Sequence, residues 1–522
     1  MTSPVHDVVI IGGGPAGCCA ARLLASWDRD VLVLTRPGRT AALAESLPPS
    51  CARLFDRIGI RAEVDAAGFV RTTGNTVWWG EADSRTEFFA DGARGWQVER
   101  DRFDALLLDS AEAAGARVER TATVRDITLL RQHLERRSPD SPPAVPGFSP
   151  SAPEASGHAL GESRNVRYEI GGEVRDVHAR WILDASGRAG MFARRGWRRS
   201  ETGGRTLALV AFWERAGGWN VPDPTHTLVM SHAGGWVWSV PISATCRCIA
   251  VMIDPARTRL RGREQLEQLY NSQLRDSSSI ARLLRESTRV SPVRACDASP
   301  YGAHRVSDDG ILLVGDAASF VDPLSSFGVK KAMASAWLAA VVVHSALDDP
   351  GITLAARELY ETRERAMYEG LSRRHAELSA EAAGTHANGF WSDRAAASSD
   401  WVGDEPDVAA LRADPQVLAA FANLRARPAV RMRPAINARR TTRPIVSGNR
   451  IILAEHMVCA AFPTGIRWVR DVDLVRLVGM AAAHDQVPDL WEAYNRSSPP
   501  VPLPDFLGAL ALLLGKGILE HS

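Results

Sequence analysis

The stretch Asp7-Val8-Val9-Ile10-Ile11-Gly12-Gly13-Gly14-Pro15-Ala16-Gly17 decides the fold. A short β-branched run feeds a G-x-G-x-x-G turn, and residues 18–27 then carry helix formers. A second apolar run, DVLVL at 30–34, completes strand, helix and strand within ~30 residues, a βαβ unit with parallel strands. In such a unit Gly12 allows the tight turn, Gly14 lets the backbone approach phosphates, and Gly17 lets helix and strand pack closely. The helix that starts at Pro15 and Ala16 offers free N–H groups and a positive dipole end to a pyrophosphate. The acidic residue expected after the second strand, on the ribose hydroxyls, is replaced by Thr35 and Arg36. Thr35 could hydrogen-bond a ribose and Arg36 could face a phosphate.

Beyond this unit, strands and helices alternate. Residues 102–114 have helical spacing, 118–129 read as extended, and 166–170 and 174–182 read as strands paired across Gly171-Gly172. Between them, 137–163 is rich in Pro, Ser and Gly and reads as a mobile loop insertion. Residues 205–255 read as an antiparallel sheet, 311–314 as a buried strand and 329–347 as a helix. From about 352 the chain is Ala/Arg/Glu-rich and helical. The last ~80 residues carry a strand at 450–454, a helix at 472–484 and a final helix at 506–519.

Composition narrows the class. The 522 residues include 45 % hydrophobic and 24 % charged, an ordinary globular balance. Lys+Arg is 62 against Asp+Glu 61, a net charge of +1 with no electrostatic footprint for nucleic acid. The longest apolar stretches, 332–343 and 506–514, fall short of the ~20 residues that span a bilayer. No basic and apolar leader precedes the first strand, and the seven scattered cysteines form no C-x-x-C, so neither a metal nor a disulfide framework is expected. The expectation is a cytoplasmic protein without nucleic-acid or membrane partners. Lysine occurs only at 330, 331 and 516.

Four co-ordered segments over about 5–350 resemble the FAD-binding pattern of glutathione-reductase-type flavoproteins: GGGPAG at 12–17, RDRFD at 100–104, DASG at 184–187 and GDAA at 315–318. More narrowly they resemble flavin monooxygenases, geranylgeranyl reductases and flavin-dependent halogenases. The resemblance implies an α/β fold: a Rossmann-like FAD-binding body (1–350) with an inserted antiparallel substrate sheet (about 205–300). A mainly helical C-terminal region follows, with helices over 351–440 and a small cap over 441–522. That cap reads as winged-helix-like, either closing the pocket or gripping a polypeptide. The resemblance further implies that Arg100 or Arg102 touches FAD and that Asp316 holds its ribityl or pyrophosphate region. The loop Pro323-Leu324-Ser325-Ser326-Phe327 and the helix start at Gly328 and Val329 would then lie at the flavin ring.

Two segments point to the halogenase-like branch. AESLP at 44–48 resembles the G-E-S-x-x-P segment, which brings in Glu45 and Ser46, and WVWSVP at 236–241 resembles W-x-W-x-I-P. In this branch the latter lies beside the flavin, which makes Trp236 and Trp238 substrate-pocket candidates; two core tryptophans alternating on one strand face is the other way to read them. Tryptophan halogenases pass hypochlorous acid to a lysine roughly 30 residues beyond G-E-S and carry a glutamate in P-L-E-S-T-G. Here 68–79 offers Arg71 and no lysine, and Ser325 stands in the glutamate position. An arginine stays protonated and does not replace that amine. The resemblance therefore implies a flavin monooxygenase that hydroxylates an electron-rich aromatic through a flavin C4a-hydroperoxide, using O2 and NAD(P)H directly or through a flavin reductase. The look is nearest to the tryptophan-hydroxylating monooxygenases of quinone-cofactor and peptide maturation. The substrate would be an aromatic small molecule or a tryptophan on a peptide or protein. The alternatives are a halogenase with a relocated lysine, for which Lys330 is the flavin-proximal candidate, and a geranylgeranyl-reductase-like enzyme.

Overall fold

The computed structural model describes residues 5–36, 43–79, 84–129, 163–200, 204–258, 263–276, 278–325, 327–386, 389–396, 411, 413–427, 429–496 and 499–521. The insertion read at 137–163 lies outside the described residues except for its last position, and so does Ser326. The chain divides into two compact units, Met1–Asp400 and Trp401–Ser522.

The first unit is built on a sheet in the order Ser307–Asp308, Ile311–Leu313, Glu173–Asp184, Val5–Ile11, Val31–Thr35, Arg117–Arg120. Val5–Ile11 lies in the middle, parallel to both neighbours. Its unbroken apolar run is what a strand covered on both faces requires, and Val8, Val9 and Ile10 are fully enclosed. The helix Pro15–Ser26 follows and packs its small residues against the long helix Gly328–Asp348. Arg164–Ile170 and Glu173–Asp184 pair as the Gly171-Gly172 turn demands.

A second sheet carries the alternation read at 205–255. Leu207–Glu214, Cys246–Ile253, Gly235–Pro241 and Thr227–His232 pair antiparallel in that order. One correction applies to the purely antiparallel expectation. Gly74–Trp78, from far upstream, adds parallel to Thr227–His232, and Arg85–Phe88 follows it. Alternation tells which face of a strand is buried, but not which sheet edge a short strand joins. Trp236, Trp238 and Val240 share one face with Val210, Ala250 and Met252, covered by Ala382 of the helix Thr353–Thr385 and by Phe390 and Trp391 of Gly389–Ala395. Val237 faces the opposite layer with Leu209, Ile249 and Tyr270.

In the second unit Arg439–Ser447, Arg450–Cys459 and Phe462–Ile466 form a three-stranded sheet, and helices Pro415–Ala426, Leu474–Ala481, Val487–Arg496 and Leu503–Gly515 surround one apolar core. The sequence reading differs here in three places. The strand at 450–454 runs on to Cys459 because an arginine-rich partner, 439–447, pairs along its length. Asp473 caps a shorter helix by accepting from the Arg476 N–H, leaving Val472–Asp473 as a short strand. The final helix stops at Gly515, and Leu519–His521 returns as a strand beside Met432–Pro434, through Gly517 at φ 67°. All seven cysteines are free and six are buried.

The whole first unit turns on one close contact. A Cβ at Gly17 would lie 1.9 Å from the Gly12 carbonyl oxygen. Gly17→Ala is therefore expected to destabilise the protein by about 1–3 kcal/mol in urea unfolding; unchanged stability would show that helix and turn are not packed this tightly.

Candidate functional site

Three of the sequence segments meet at one end of the parallel sheet. Gly12, at φ 112°, turns the chain so sharply that a Cβ there would lie 2.3 Å from the Ala185 carbonyl oxygen. Ala185 follows Asp184, which is enclosed and accepts from the Ser186 N–H and hydroxyl and from the Phe192 N–H, fixing the 184–187 turn. Gly315, after the strand Ile311–Leu313, is wedged between Ala16 and Ala332, and its N–H donates to Ser335 Oγ at 2.9 Å. The first helix, the Gly315 turn and the long helix thus touch at one point.

A cradle opens beside this point. The helix Pro15–Ser26 has Gly14 as its N-cap, no side-chain cap and no acidic residue in its first turn. A Cβ at Gly14 would meet nothing within 4 Å. Open space beside uncapped N–H groups at the positive end of a helix suits a pyrophosphate. Thr35 packs its hydroxyl against Gly13, 2.6 Å from where a Cβ would stand, and Arg36 is exposed.

Asp316 supplies a second feature. Its Oδ1 is enclosed without a hydrogen-bond partner, and the buried Lys331 amine stands 3.7 Å away. Lys331 donates to the Gly315 and Ser319 carbonyl oxygens at 3.1 and 2.5 Å, and the Tyr301 hydroxyl donates to the Asp316 carbonyl at 2.6 Å. The turn is clamped from two sides while the carboxylate is left one oxygen short. Native proteins rarely leave such an oxygen unpaired. An orphan acceptor here, with the open helix end, fits the ribityl and pyrophosphate parts of FAD.

Glu45 and Ser46 lie on Ala44–Leu47, paired to Gly95–Glu99, which leads straight into the helix Arg100–Ala113. Arg100 makes a bidentate pair with Asp104 one turn later, 3.0 Å to each oxygen, and stands 3.5 Å from Glu45. Arg102 points elsewhere, to Glu99 and the Ala67 carbonyl, so of the two arginines it is Arg100 that joins this cluster. Burial pushes the Glu45 carboxyl up to about 7; Asp316 and Asp104 add to that against the pull of Arg100. Burial alone would lower Arg100, but Asp104, Glu45 and Asp316 hold it above its usual value. Ser46 accepts from Thr227 Oγ1 and ties this strand to the second sheet.

The loop after Asp316 forms a single turn, Pro323–Ser325, and the 21-residue helix Gly328–Asp348 starts with Phe327 as N-cap, no side-chain cap and no acidic first-turn residue. Val329 is buried; Lys330 donates to Ser50 Oγ at 2.9 Å and lies over the Phe327 ring. Leu324 packs into the same apolar cluster as Trp236 and Trp238. Sequence reading passed over Asp104, Tyr301 and the clamping role of Lys331. The R-x-x-x-D spacing could have given Asp104, and a lysine inside an apolar helix could have flagged Lys331. Nothing local marks Tyr301.

The comparisons with known proteins meet this geometry. A model of the FAD binding domain matches residues 5–139, and the tryptophan halogenase family model matches 157–413. The chain is 29 % identical to a tryptophan 2-halogenase of Chondromyces crocatus over 68 % of its own length and 64 % of that relative's, under two thirds of the relative. Among solved structures, the flavin-dependent halogenase CmlS superposes with a TM-score of 0.73 at 22 % identity, covering 99 % of this chain and 96 % of that one. The peptidyl tryptophan dihydroxylase QhpG, essential for tryptophylquinone cofactor biogenesis, superposes with a TM-score of 0.64 at 20 % identity, covering 98 % and 100 %. At these identities the two structures speak for the fold. Together these matches support a halogenase-like flavin monooxygenase family for the chain, one whose members are FAD-dependent oxidoreductases.

Two outcomes test the site. Asp316→Ala is expected to weaken FAD binding about 10- to 100-fold, the range of a hydrogen bond to a charged group, in a flavin-fluorescence titration; unchanged affinity would remove Asp316 from the site. The second concerns Glu45 in the FAD-free protein. Its folded value lies above its unfolded one, so the native state keeps a proton that the unfolded chain releases, and stability falls as pH rises from about 4.5 to 7. Glu45→Gln is expected to flatten that loss, by up to about 3 kcal/mol at pH 8; an unchanged pH profile of urea unfolding would contradict it.

Proposed function

We propose that the chain is an FAD-dependent monooxygenase that hydroxylates an electron-rich aromatic ring. A tryptophan side chain on a peptide or protein is the substrate class favoured by the likeness to QhpG over 98 % of the chain. When bound and reduced, FAD supplies the electrons with which dioxygen is activated for transfer of one oxygen atom. The electrons come from NAD(P)H, directly or through a flavin reductase. Gly12, Gly14 and Gly17, with the start of the helix Pro15–Ser26, hold the pyrophosphate. Asp316 would accept from a ribityl hydroxyl, and the Arg100–Glu45 pair would balance charge beside it. The helix end at Gly328 favours negative charge by ~0.3–1 kcal/mol. Trp236, Trp238 and Leu324 form an apolar wall that excludes water and orients the ring. The free cysteines fit a reducing, cytoplasmic setting.

One observation supports oxygen over chlorine: each of the three lysine amines is engaged by another group. Lys330 is on Ser50, Lys331 is buried under three oxygens, and Lys516 is paired with Asp414 in the second unit. Arg71, where the resemblance expects a lysine, is engaged by the Gly95 and Arg94 carbonyls and by Asp65, with its guanidinium 4.3 Å from the centre of the Trp96 ring. Halogenation remains the second reading, because the curated relatives are named halogenases. Incubation of the reduced holoprotein with a tryptophan-containing peptide, with and without chloride and bromide, separates them by mass. The expected product is one oxygen atom heavier whatever the halide, and is absent under argon. A halogenated product would establish the second reading, and turnover without oxygen would contradict both.

A further inference from the structure

Between the tryptophan-bearing face of the second sheet and the helix Thr353–Thr385 lies a layer holding four enclosed polar atoms without a hydrogen-bond partner among the described residues. Trp236 and Trp238 project from the sheet, and the Nε1 of each donates to nothing. Ser379, fully buried, keeps an unpaired Oγ. One turn earlier on the same helix face, His375 has an enclosed Nδ1 that makes no hydrogen bond. That nitrogen is 3.9 Å from Oδ1 of Asp322, a carboxylate only 1 % exposed, just before the Pro323–Ser325 turn. Leu324 of this turn and Leu378, between His375 and Ser379, belong to the apolar cluster of the two tryptophans. The seam therefore runs from the sheet to the loop that leads into the helix Gly328–Asp348.

Enclosed polar groups are almost always paired in native proteins. Two indole N–H donors, a hydroxyl and an imidazole nitrogen left open on facing elements mark a place shaped for a ligand that is both aromatic and hydrogen-bonding. We propose that this seam seats the substrate ring and that His375, backed by Asp322, accepts the proton of a phenolic O–H group on that ring, as on a hydroxylated indole or a phenol. This rests on the reading of the chain as a flavin enzyme acting on an aromatic. The step is one proton transfer. The O–H bond breaks, its electron pair stays on the phenolic oxygen, and the proton binds the imidazole. The Asp322 carboxylate stabilises the resulting imidazolium. The anionic ring then carries more electron density at the carbon to be substituted. Ser379 and the indole N–H groups offer donors to acceptor atoms on the ring or beside it. Asp322 faces His375 from the loop and is bonded by Thr206, which Arg394 holds in turn at 2.9 Å; on the histidine's own helix Arg374 is paired with Glu377.

The test uses FAD-loaded, oxidised holoprotein and 4-nitrophenol as probe, read by phenolate absorbance during a pH titration. The expected result is a fall of about one unit in the apparent pKa of the bound probe, a tenfold change in its phenolate fraction. His375→Gln is expected to abolish that shift while FAD affinity and thermal stability stay at wild-type values, with His375→Asn as the substitute if the first variant does not fold. Ser379→Ala is expected to weaken probe binding several-fold and leave the shift intact. An unshifted probe on the wild-type protein, an equal shift in the His375 variants, or no binding of the probe at all would each overturn the proposal. No reductant or oxygen enters the titration, so its outcome is independent of whether turnover adds oxygen or a halogen.

Discussion

Everything in the first unit depends on backbone coming within contact of backbone where the central strand ends. Gly12 sits against the Ala185 carbonyl, Gly17 against the Gly12 carbonyl, and Gly315 between Ala16 and Ala332. No side chain larger than hydrogen fits at the first two positions without a shift. The contact does two things together. It closes the core by docking the first helix onto the long helix Gly328–Asp348, and it aims an uncapped helix end at the space beside Asp316. Fold and site are set by one constraint, so a substitution there that damages one damages the other.

Around that contact the electrostatics are arranged in compensating layers. Lys331, on a helix whose other enclosed residues are mostly apolar, faces Asp316 at 3.7 Å and holds the turn by its carbonyls. Arg100 gathers Asp104 and Glu45 on the other side. Three carboxylates in one half-buried cluster repel one another, and the raised value at Glu45 is the mark of that crowding added to burial. A positive helix end and a guanidinium in the same cluster would offset the charge of an anionic dinucleotide bound there.

How much of this was legible beforehand follows from which interactions are local. The βαβ unit, the Gly171-Gly172 hairpin and the helix Gly328–Asp348 could be read because periodicity and turn residues act over a few positions. The two faces of Gly235–Pro241 could be read for the same reason. The placement of the strand Gly74–Trp78 beside Thr227–His232, the clamp from Tyr301 and the approach of His375 to Asp322 could not, since each joins residues far apart in the chain. The strand Arg439–Ser447 was hidden by its own charge: its arginines are solvated, and only its pairing to Arg450–Cys459 makes it a strand. For the cofactor, the glycine turn alone gave a dinucleotide; the step to FAD came from the combination of four segments, three of which the fold brings into contact.

The central claim is that the Gly12–Gly17 turn and Asp316 hold one FAD per chain. The most direct measurement is reconstitution of the FAD-free protein with excess FAD, removal of unbound flavin by gel filtration, and a visible spectrum of the protein peak. The account predicts a yellow protein with one equivalent of flavin. A colourless peak from correctly folded protein would contradict it.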